Sequence, residues 1–173
     1  MVRLIEIPEP SLPKTISDLT VRPAEQGEAA LVRAIIARHH SLLPQPPAIW
    51  QVAFLLLDKK GNVWGAATWN HPTARLEDQK HTLELTRYAL ASGLPKNTAT
   101  WALARMRAWI RENMPGIHRL ISYHDEAVHT GTIYTADNWK RVYRSQIETS
   151  PWSNRPGRTA TPRPVKSKWE RQP

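Results

Sequence analysis

The stretch from residue 82 to residue 139 constrains the fold of this chain more than any other. It predicts a strand over 82–90, a polar loop, a helix over 100–113, a strand over 119–123 and a short helix over 131–137. A polar loop between a strand end and a helix start is where an α/β protein often holds a phosphate, because the first N–H groups of the helix lack partners. The stretch therefore predicts a site for a nucleotide-type cofactor, with the rest of the chain forming the acceptor side.

The sequence on either side adds strands and one helix. The expected elements are a strand over 16–22, an amphipathic helix over 24–39, a hairpin of strands 49–57 and 63–69 around a Gly-Asn turn, and a last strand over 140–147. Prolines make the first 23 residues irregular apart from that first strand. We expect one catalytic domain over residues 1–149 and a separate basic tail over 150–173.

Composition limits the class of protein. The chain has 173 residues, no cysteine and no apolar run long enough to span a membrane, which predicts a globular protein of the cytoplasm without disulfides. Its net charge of +9 favours an anionic partner such as nucleic acid or a phosphorylated cofactor. A solvated basic surface is the alternative reading of the same charge.

The order of the expected elements resembles the N-acyltransferase fold of the GNAT superfamily. That resemblance implies an α/β (α+β) fold with a mixed, mostly antiparallel central sheet, splayed central strands and flanking helices. It also implies coenzyme A phosphates at the loop before the long helix, here Ser92–Thr98, which has one glycine and a proline in place of the family's glycine-rich loop. The implied cofactor-binding residues are Leu90, Lys96, Asn97, Thr98, Ala99 and Thr100. Asn97 or Thr98 could instead serve only as a helix cap.

Several short pieces, taken together, resemble the bacteriophage Mom DNA-modification family. They are Leu83–Arg87, Leu94–Asn97, Leu120–Asp125 and Gly131–Tyr134, within a resemblance that covers about residues 30–145. The family adds a carbamoylmethyl (acetamido-type) group to adenine N6 and so protects phage DNA from host restriction enzymes. The resemblance implies acetyl-CoA or a related acyl donor, double-stranded DNA with the adenine flipped from the stack, and the host cytoplasm as location.

The two resemblances also point to catalytic candidates. Tyr134 matches the tyrosine that GNAT enzymes use near the thiol as a general acid. The Mom pattern has a His-Tyr pair after the first helix and an aspartate after the fifth strand. Here His39-His40 stands at the pair, so the tyrosine is replaced, and Asp125 is the aspartate. The resemblance implies that they act as a base with its orienter or as ligands of a divalent metal such as iron. Glu84, on the strand before the loop, could orient an amine or form an internal ion pair. Packing of Tyr134 and capping by the histidines are the structural alternatives.

The C-terminal residues are predicted to contact DNA. Arg155, Arg158, Arg163, Lys166 and Lys168 would bind phosphates, and Trp152 and Trp169 could stack on bases. Three functions are therefore considered: a DNA-modifying transferase, a conventional N-acetyltransferase acting on a small-molecule or protein amine, and a non-catalytic DNA-binding protein of the same fold. The sequence leaves the oligomeric state open, a homodimer included.

Overall fold

The computed structural model describes residues 10–41, 48–145 and 165–173. After a 3-10 turn at Ile16–Asp18, the elements are β1 (Leu19–Pro23), α1 (Ala29–His39), β2 (Val52–Asp58), β3 (Val63–Asn70), β4 (Thr82–Leu90), α2 (Thr98–Asn113), β5 (Arg119–Asp125), α3 (Thr132–Ala136), β6 (Lys140–Arg144) and β7 (Lys166–Arg171). No helix in these ranges is long and apolar enough to cross a membrane.

The strands form one sheet in the order β1-β2-β3-β4-β5-β7-β6. Neighbouring strands are antiparallel except β4 and β5, which run parallel and are connected through α2. The sequence predicted β4 at its observed bounds and the β2–β3 hairpin, whose tight turn is closed by Asp58 and by Gly61 at a φ of 85°. The expected mixed, mostly antiparallel α/β fold is confirmed.

A bulge in β4 separates its first half from its second. Thr68 pairs with Arg87 and Trp69 with Leu85, so Thr86 is the extra residue on β4. The bulge reverses the side-chain alternation, because Leu85 lies in the core beneath α2 while Ala89 lies in the core beneath α1. Leu85 and Arg87, two positions apart, therefore do not share one face of β4 as simple alternation would predict.

Pairing between β4 and β5 stops at the same place. Their ladder runs from Thr82 opposite Arg119 to Leu85 opposite Ser122 and includes no residue of β4 beyond Leu85. From the bulge onward the two strands diverge, as the expected splay of the central strands requires. The divergence opens a gap in the middle of the sheet, where strand edges carry backbone groups that no ladder bond satisfies.

The two faces of the sheet bury different helices. One face packs against α2 and α3 through Leu103, Met106 and Tyr134. The other packs against α1 through Val32 and Ile36. The two apolar cores therefore hold the sheet between helices and fix the gap between β4 and β5 from both sides.

The end of the chain is part of the sheet, although residues 150–173 were expected to form a separate basic tail. Lys166–Arg171 forms β7 between β5 and β6, and Trp169 opposes Ser122 in the β5–β7 ladder. The strand predicted over 140–147 is thus an edge strand and not the last one. Single-sequence periodicity missed β7 because its interior positions combine Ser, Trp and charged residues and the strand lies between neighbours that are distant in sequence. Residues 146–164 lie outside the described ranges.

A buried charge network attaches β7 to the helices. Arg107 of α2 donates two hydrogen bonds to the Asp137 carboxylate, at 2.7 and 2.8 Å, and the Trp139 indole N–H donates a third at 2.8 Å. Arg171 of β7 lies 3.9 Å from the same carboxylate. Asp137 therefore joins α2, the end of α3 and β7 in an environment where an unpaired charge is costly.

Replacing Asp137 by asparagine should lower the free energy of unfolding by about 3 kcal/mol, because it leaves the buried Arg107 guanidinium without its counter-charge. Urea unfolding followed by tryptophan fluorescence measures this change. Asp18→Asn is the matched control, since it breaks the exposed Lys59–Asp18 pair and should leave the unfolding midpoint nearly unchanged. Equal effects of the two substitutions would contradict the assignment of Asp137 as the carboxylate that joins these elements.

Candidate active site where two strands diverge

A cavity of about 490 Å³ lies where β4 and β5 diverge. Its lining comes from both strands, the residue after α1, the loop after β5, α3 and the first residue of β7: His40, Glu84–Tyr88, Ser122–Asp125, His129–Tyr134 and Lys166. Four of the five predicted catalytic residues line it: His40, Glu84, Asp125 and Tyr134. His39, the last residue of α1, does not line the cavity, whereas the next residue, His40, does.

The α1 side of the cavity carries its carboxylates. Glu84 accepts hydrogen bonds from the Thr73 backbone N–H at 2.7 Å and the Thr73 hydroxyl at 3.0 Å, so its carboxylate is held by the loop before β4. Asp125 ends β5, opposes Lys166 of β7 in the ladder and accepts a hydrogen bond from the Ala127 N–H at 2.8 Å. This side therefore combines fixed carboxylates with a cation at the edge of the cavity.

His40 lies on the same side, among positive groups. Burial lowers the pKa of His40, and the charges of Arg87 and His129 lower it further. The imidazole is accordingly neutral at neutral pH and able to accept a proton. His129, on the loop after β5, is positioned beside the end of α1 by a 2.9 Å hydrogen bond between its Nε2 and the Ser41 hydroxyl.

Metal binding by His39, His40 and Asp125 stays a prediction. Among the described residues, which include His39, His40 and Asp125, no group of three or more His, Asp or Glu side chains could hold a metal ion. His39 is also displaced from the cavity that contains the other two.

The α2–α3 side of the cavity is built around a buried tyrosine. The Tyr134 hydroxyl and the Ser122 hydroxyl form a 2.7 Å hydrogen bond. Burial raises the pKa of the Tyr134 phenol to about 12, and the bond to Ser122 opposes that rise. Tyr134 therefore carries its proton at neutral pH, as a general acid must before it acts.

His124 and Trp169 complete that side and were not among the predicted site residues. The Trp169 indole N–H donates a 2.7 Å hydrogen bond to Nδ1 of His124, and both rings stack on Tyr134 with centroids 5.4 to 6.1 Å apart. Strand alternation could have found His124, since it shares a face of β5 with Ser122. Trp169 was proposed to stack on bases, but it is buried in the core, which the sequence could not show without the placement of β7.

Gly131 allows these rings to lie where they do. It precedes α3 with a φ of 74°, and a Cβ built there would come within 2.6 Å of a Trp169 ring carbon and 2.8 Å of His124 Cε1. Only glycine fits both the left-handed backbone and the close approach of the two rings.

The predicted cofactor-binding residues do not line this cavity: Leu90 ends β4, and the others lie at the start of α2. Asn97 is in the N-cap position with a φ of 67°, but its side chain makes no capping bond to the described residues, and the Thr98 hydroxyl donates back to Pro95. The first helical bond is donated by Trp101 to Asn97, so the N–H groups of Ala99 and Thr100 have no partner within the helix. The Tyr88 hydroxyl, bonded at 2.7 Å to the Ala99 carbonyl, connects this helix end to the strand that lines the cavity.

The predicted DNA-contacting residues divide into two groups. Lys166 is exposed at the cavity, whereas Lys168 is largely buried and paired with Glu77 at 2.5 Å and Glu170 at 3.1 Å. These ion pairs make Lys168 a structural residue that attaches the loop before β4 to β7. Arg155, Arg158, Arg163 and Trp152 lie outside the described residues.

Known structures of similar shape define the fold class. The spermidine N-acetyltransferase of Vibrio cholerae, solved with CoA and spermine, superposes with a TM-score of 0.62 at 11% identity over 90% of this chain and 96% of that one. The ribosomal-protein-S5-alanine acetyltransferase of Vibrio fischeri gives 0.62 at 13% identity, covering 90% and 93%. An acetyltransferase of Salmonella typhimurium with acetyl-CoA gives 0.61 at 12% identity, covering 90% and 94%. The fold is therefore that of the GNAT acetyltransferases.

The amino-acid sequence shows which protein family the chain belongs to. The model of the Mom protein family matches residues 18–172, and the chain belongs to that family. The match extends past the expected 30–145 at both ends and so includes β1 and β7. No curated protein sequence matches the chain.

Gly131→Ala should destabilise the protein by about 1–3 kcal/mol, because it combines a strained left-handed backbone with contacts against Trp169 and His124. Thermal unfolding measures the loss, and near-UV circular dichroism reports the displaced aromatic rings. Gly116→Ala is the control, since a Cβ at Gly116 meets no atom within 4 Å. A stable Gly131→Ala protein with an unchanged aromatic spectrum would contradict this packing.

Proposed function

We propose that this protein is a DNA-modifying transferase that uses an acyl-CoA-type donor to modify adenine N6 with a carbamoylmethyl group, protecting phage DNA from host restriction enzymes in the host cytoplasm. The observation that carries the proposal is the cavity at the β4–β5 divergence, in a chain that belongs to the Mom family. The cavity joins carboxylates on one side to a protonated phenol on the other, as a transfer between two substrates requires.

The donor side is supported by α2 and the diverging strands. The start of α2 offers the N–H groups of Ala99 and Thr100 and the positive end of a 16-residue helix, with exposed Lys96 beside it. These groups suit the phosphates of an acyl-coenzyme A, whose thioester is the activated bond. The β4–β5 ladder ends at Leu85, and a donor held at this helix end would run along β4 to reach the cavity.

The acceptor side is supported by Asp125, Glu84 and His40. Adenine N6 is weakly nucleophilic, so its attack requires a group that takes up a proton. Asp125 and neutral His40 both line the cavity and can accept one, while Glu84, anchored by Thr73, can position the amine. On the opposite side Tyr134 lines the cavity and would protonate the sulfur that leaves when the thioester is attacked.

The proposed carbamoylmethyl product requires more than the transfer of an acetyl group. A carbamoylmethyl group is attached to N6 through its methylene carbon, so acetyl transfer alone does not produce it. The residues of the cavity account for holding the two substrates and moving protons between them. They are equally compatible with plain acetylation of an amine, which the shared fold of the spermidine N-acetyltransferase favours as the second candidate.

Double-stranded DNA is the proposed acceptor because of the positive charge of the protein and the size of the cavity. The net charge of +9 includes exposed Lys166 at the cavity and the exposed basic edge strand β6. The cavity of about 490 Å³ suits a base turned out of the stack. The arginines at 155, 158 and 163 are proposed to add phosphate contacts.

Plasmid DNA from cells that express this protein should contain a mass-shifted deoxyadenosine after digestion to nucleosides, and Asp125→Asn should abolish it. Mass spectrometry separates a carbamoylmethyl from an acetyl product. Asp78→Asn, in the exposed loop before β4, is the matched carboxylate control and should keep full modification. Unmodified nucleosides from soluble wild-type protein would contradict the proposal, and acetylation of soluble amines alone would select the second candidate.

Lys166→Ala should weaken binding to duplex DNA uniformly across sequences and reduce the slope of log K against log salt by about 1, because one phosphate contact is lost. Fluorescence anisotropy at several salt concentrations measures both quantities. Lys80→Ala, an exposed lysine just before β4 at the other end of the sheet, should leave the slope unchanged. Equal slopes for Lys166→Ala and wild type would exclude a phosphate contact at the cavity.

A further inference from the structure

His124 is held in one protonation state by its neighbour. The Trp169 indole nitrogen can only donate, so the 2.7 Å bond requires Nδ1 of His124 to be an unprotonated acceptor. A neutral imidazole with an unprotonated Nδ1 carries its proton on Nε2. The bond is buried, and the ring cannot turn away because Tyr134 and Trp169 stack on it and Gly131 lies against its Cε1 edge.

The side chain of His124 lines the cavity. In the described part of the chain, the buried side-chain nitrogens and oxygens that lack a partner are Trp69 Nε1 and Arg171 Nη1. Nε2 of His124 is not one of them and bonds to none of the described residues, although the side chain lines the cavity. It is therefore an N–H donor directed at whatever occupies that space.

The position of His124 indicates which substrate it meets. Alternation along β5 places it with Ser122 on the side of α2, α3 and Tyr134, which is the proposed donor side. The carboxylates that suit an amine, Asp125 and Glu84, belong to the other side. A group beside His124 and Tyr134 would be the reacting end of the thioester.

We propose that His124 is a fixed neutral hydrogen-bond donor whose Nε2–H binds the carbonyl oxygen of the group carried by the donor, with Trp169 as the residue that positions it. The assignment rests on the proposed acyl-CoA-type donor. A donor aimed at a carbonyl oxygen binds more strongly as negative charge develops there, and a donor that is already oriented needs no rearrangement. His124 is thereby excluded as the base at Nε2, since that nitrogen already holds its proton.

The first test compares acetyl-CoA with CoA, which lacks the acyl carbonyl, by titration calorimetry on the full chain without DNA. Wild type should bind acetyl-CoA about fivefold more tightly than CoA, the effect of one neutral hydrogen bond. His124→Leu should lose that preference, while His124→Gln, which keeps an N–H donor, should restore part of it. A residue that only supports the fold would change both affinities alike and leave their ratio intact.

The second test reads the proton directly and requires no ligand. Nitrogen-15 NMR of the histidine rings should show His124 with Nε2 protonated and Nδ1 unprotonated, and Trp169→Phe should allow both neutral tautomers. The same variant should reduce the acetyl-CoA preference without abolishing CoA binding, because only the positioning of His124 is lost.

The outcomes separate this inference from the proposed function. Binding of CoA and acetyl-CoA with equal affinity by wild type, or an unchanged ratio in His124→Leu, would overturn the role of His124 while leaving the cofactor site in place. Binding of neither compound would overturn the acyl-CoA donor and this inference together. A protonated Nδ1 in wild type would contradict the inference by itself.

Discussion

The loss of pairing between β4 and β5 is the constraint on which the rest of the structure depends. The parallel ladder between β4 and β5 ends where Leu85 opposes Ser122. The bulge at Thr86 then moves the side chains of the following β4 residues to the opposite faces of the sheet. If β4 and β5 stayed paired along their whole length, their backbone groups would bond to each other and no cavity would form between the two strands. Because two apolar cores hold the sheet from both sides, the gap persists as a cavity that connects the α1 face to the α2–α3 face.

β7, the last strand of the chain, contributes residues beside the cavity that β4 and β5 do not provide. β7 pairs with β5 and brings Trp169 against His124 and Tyr134, while Lys166 reaches the edge of the cavity. Its placement is secured by the Asp137 network on one face and by the ion pairs of Lys168 with Glu77 and Glu170 on the other. The aromatic side of the proposed transfer site therefore depends on the most distant part of the chain, held by charges that are costly to leave unpaired.

The sequence predicted local elements well and long-range placement poorly. β4 and the hairpin follow from alternation and turn residues. The family patterns pointed to His40, Asp125 and Tyr134, and the position of Glu84 on β4 pointed to a fourth residue of the same cavity. The bulge at Thr86 was not predictable, because it arises from register against β3 and not from the identity of the residue. β7 was missed for the same kind of reason: Ser167 and Trp169 become interior only between β5 and β6. The roles of the site residues remain proposals.

A crystal structure of the protein with acetyl-CoA would test the central claim most directly, namely that the gap between the diverging strands is the transfer site. The account predicts phosphates at the start of α2 near Lys96 to Thr100, the pantetheine chain along β4 beyond Leu85, and the acetyl group in the cavity beside Tyr134 and His124. Acetyl-CoA bound on another surface, with the gap between β4 and β5 closed or filled by side chains, would contradict it.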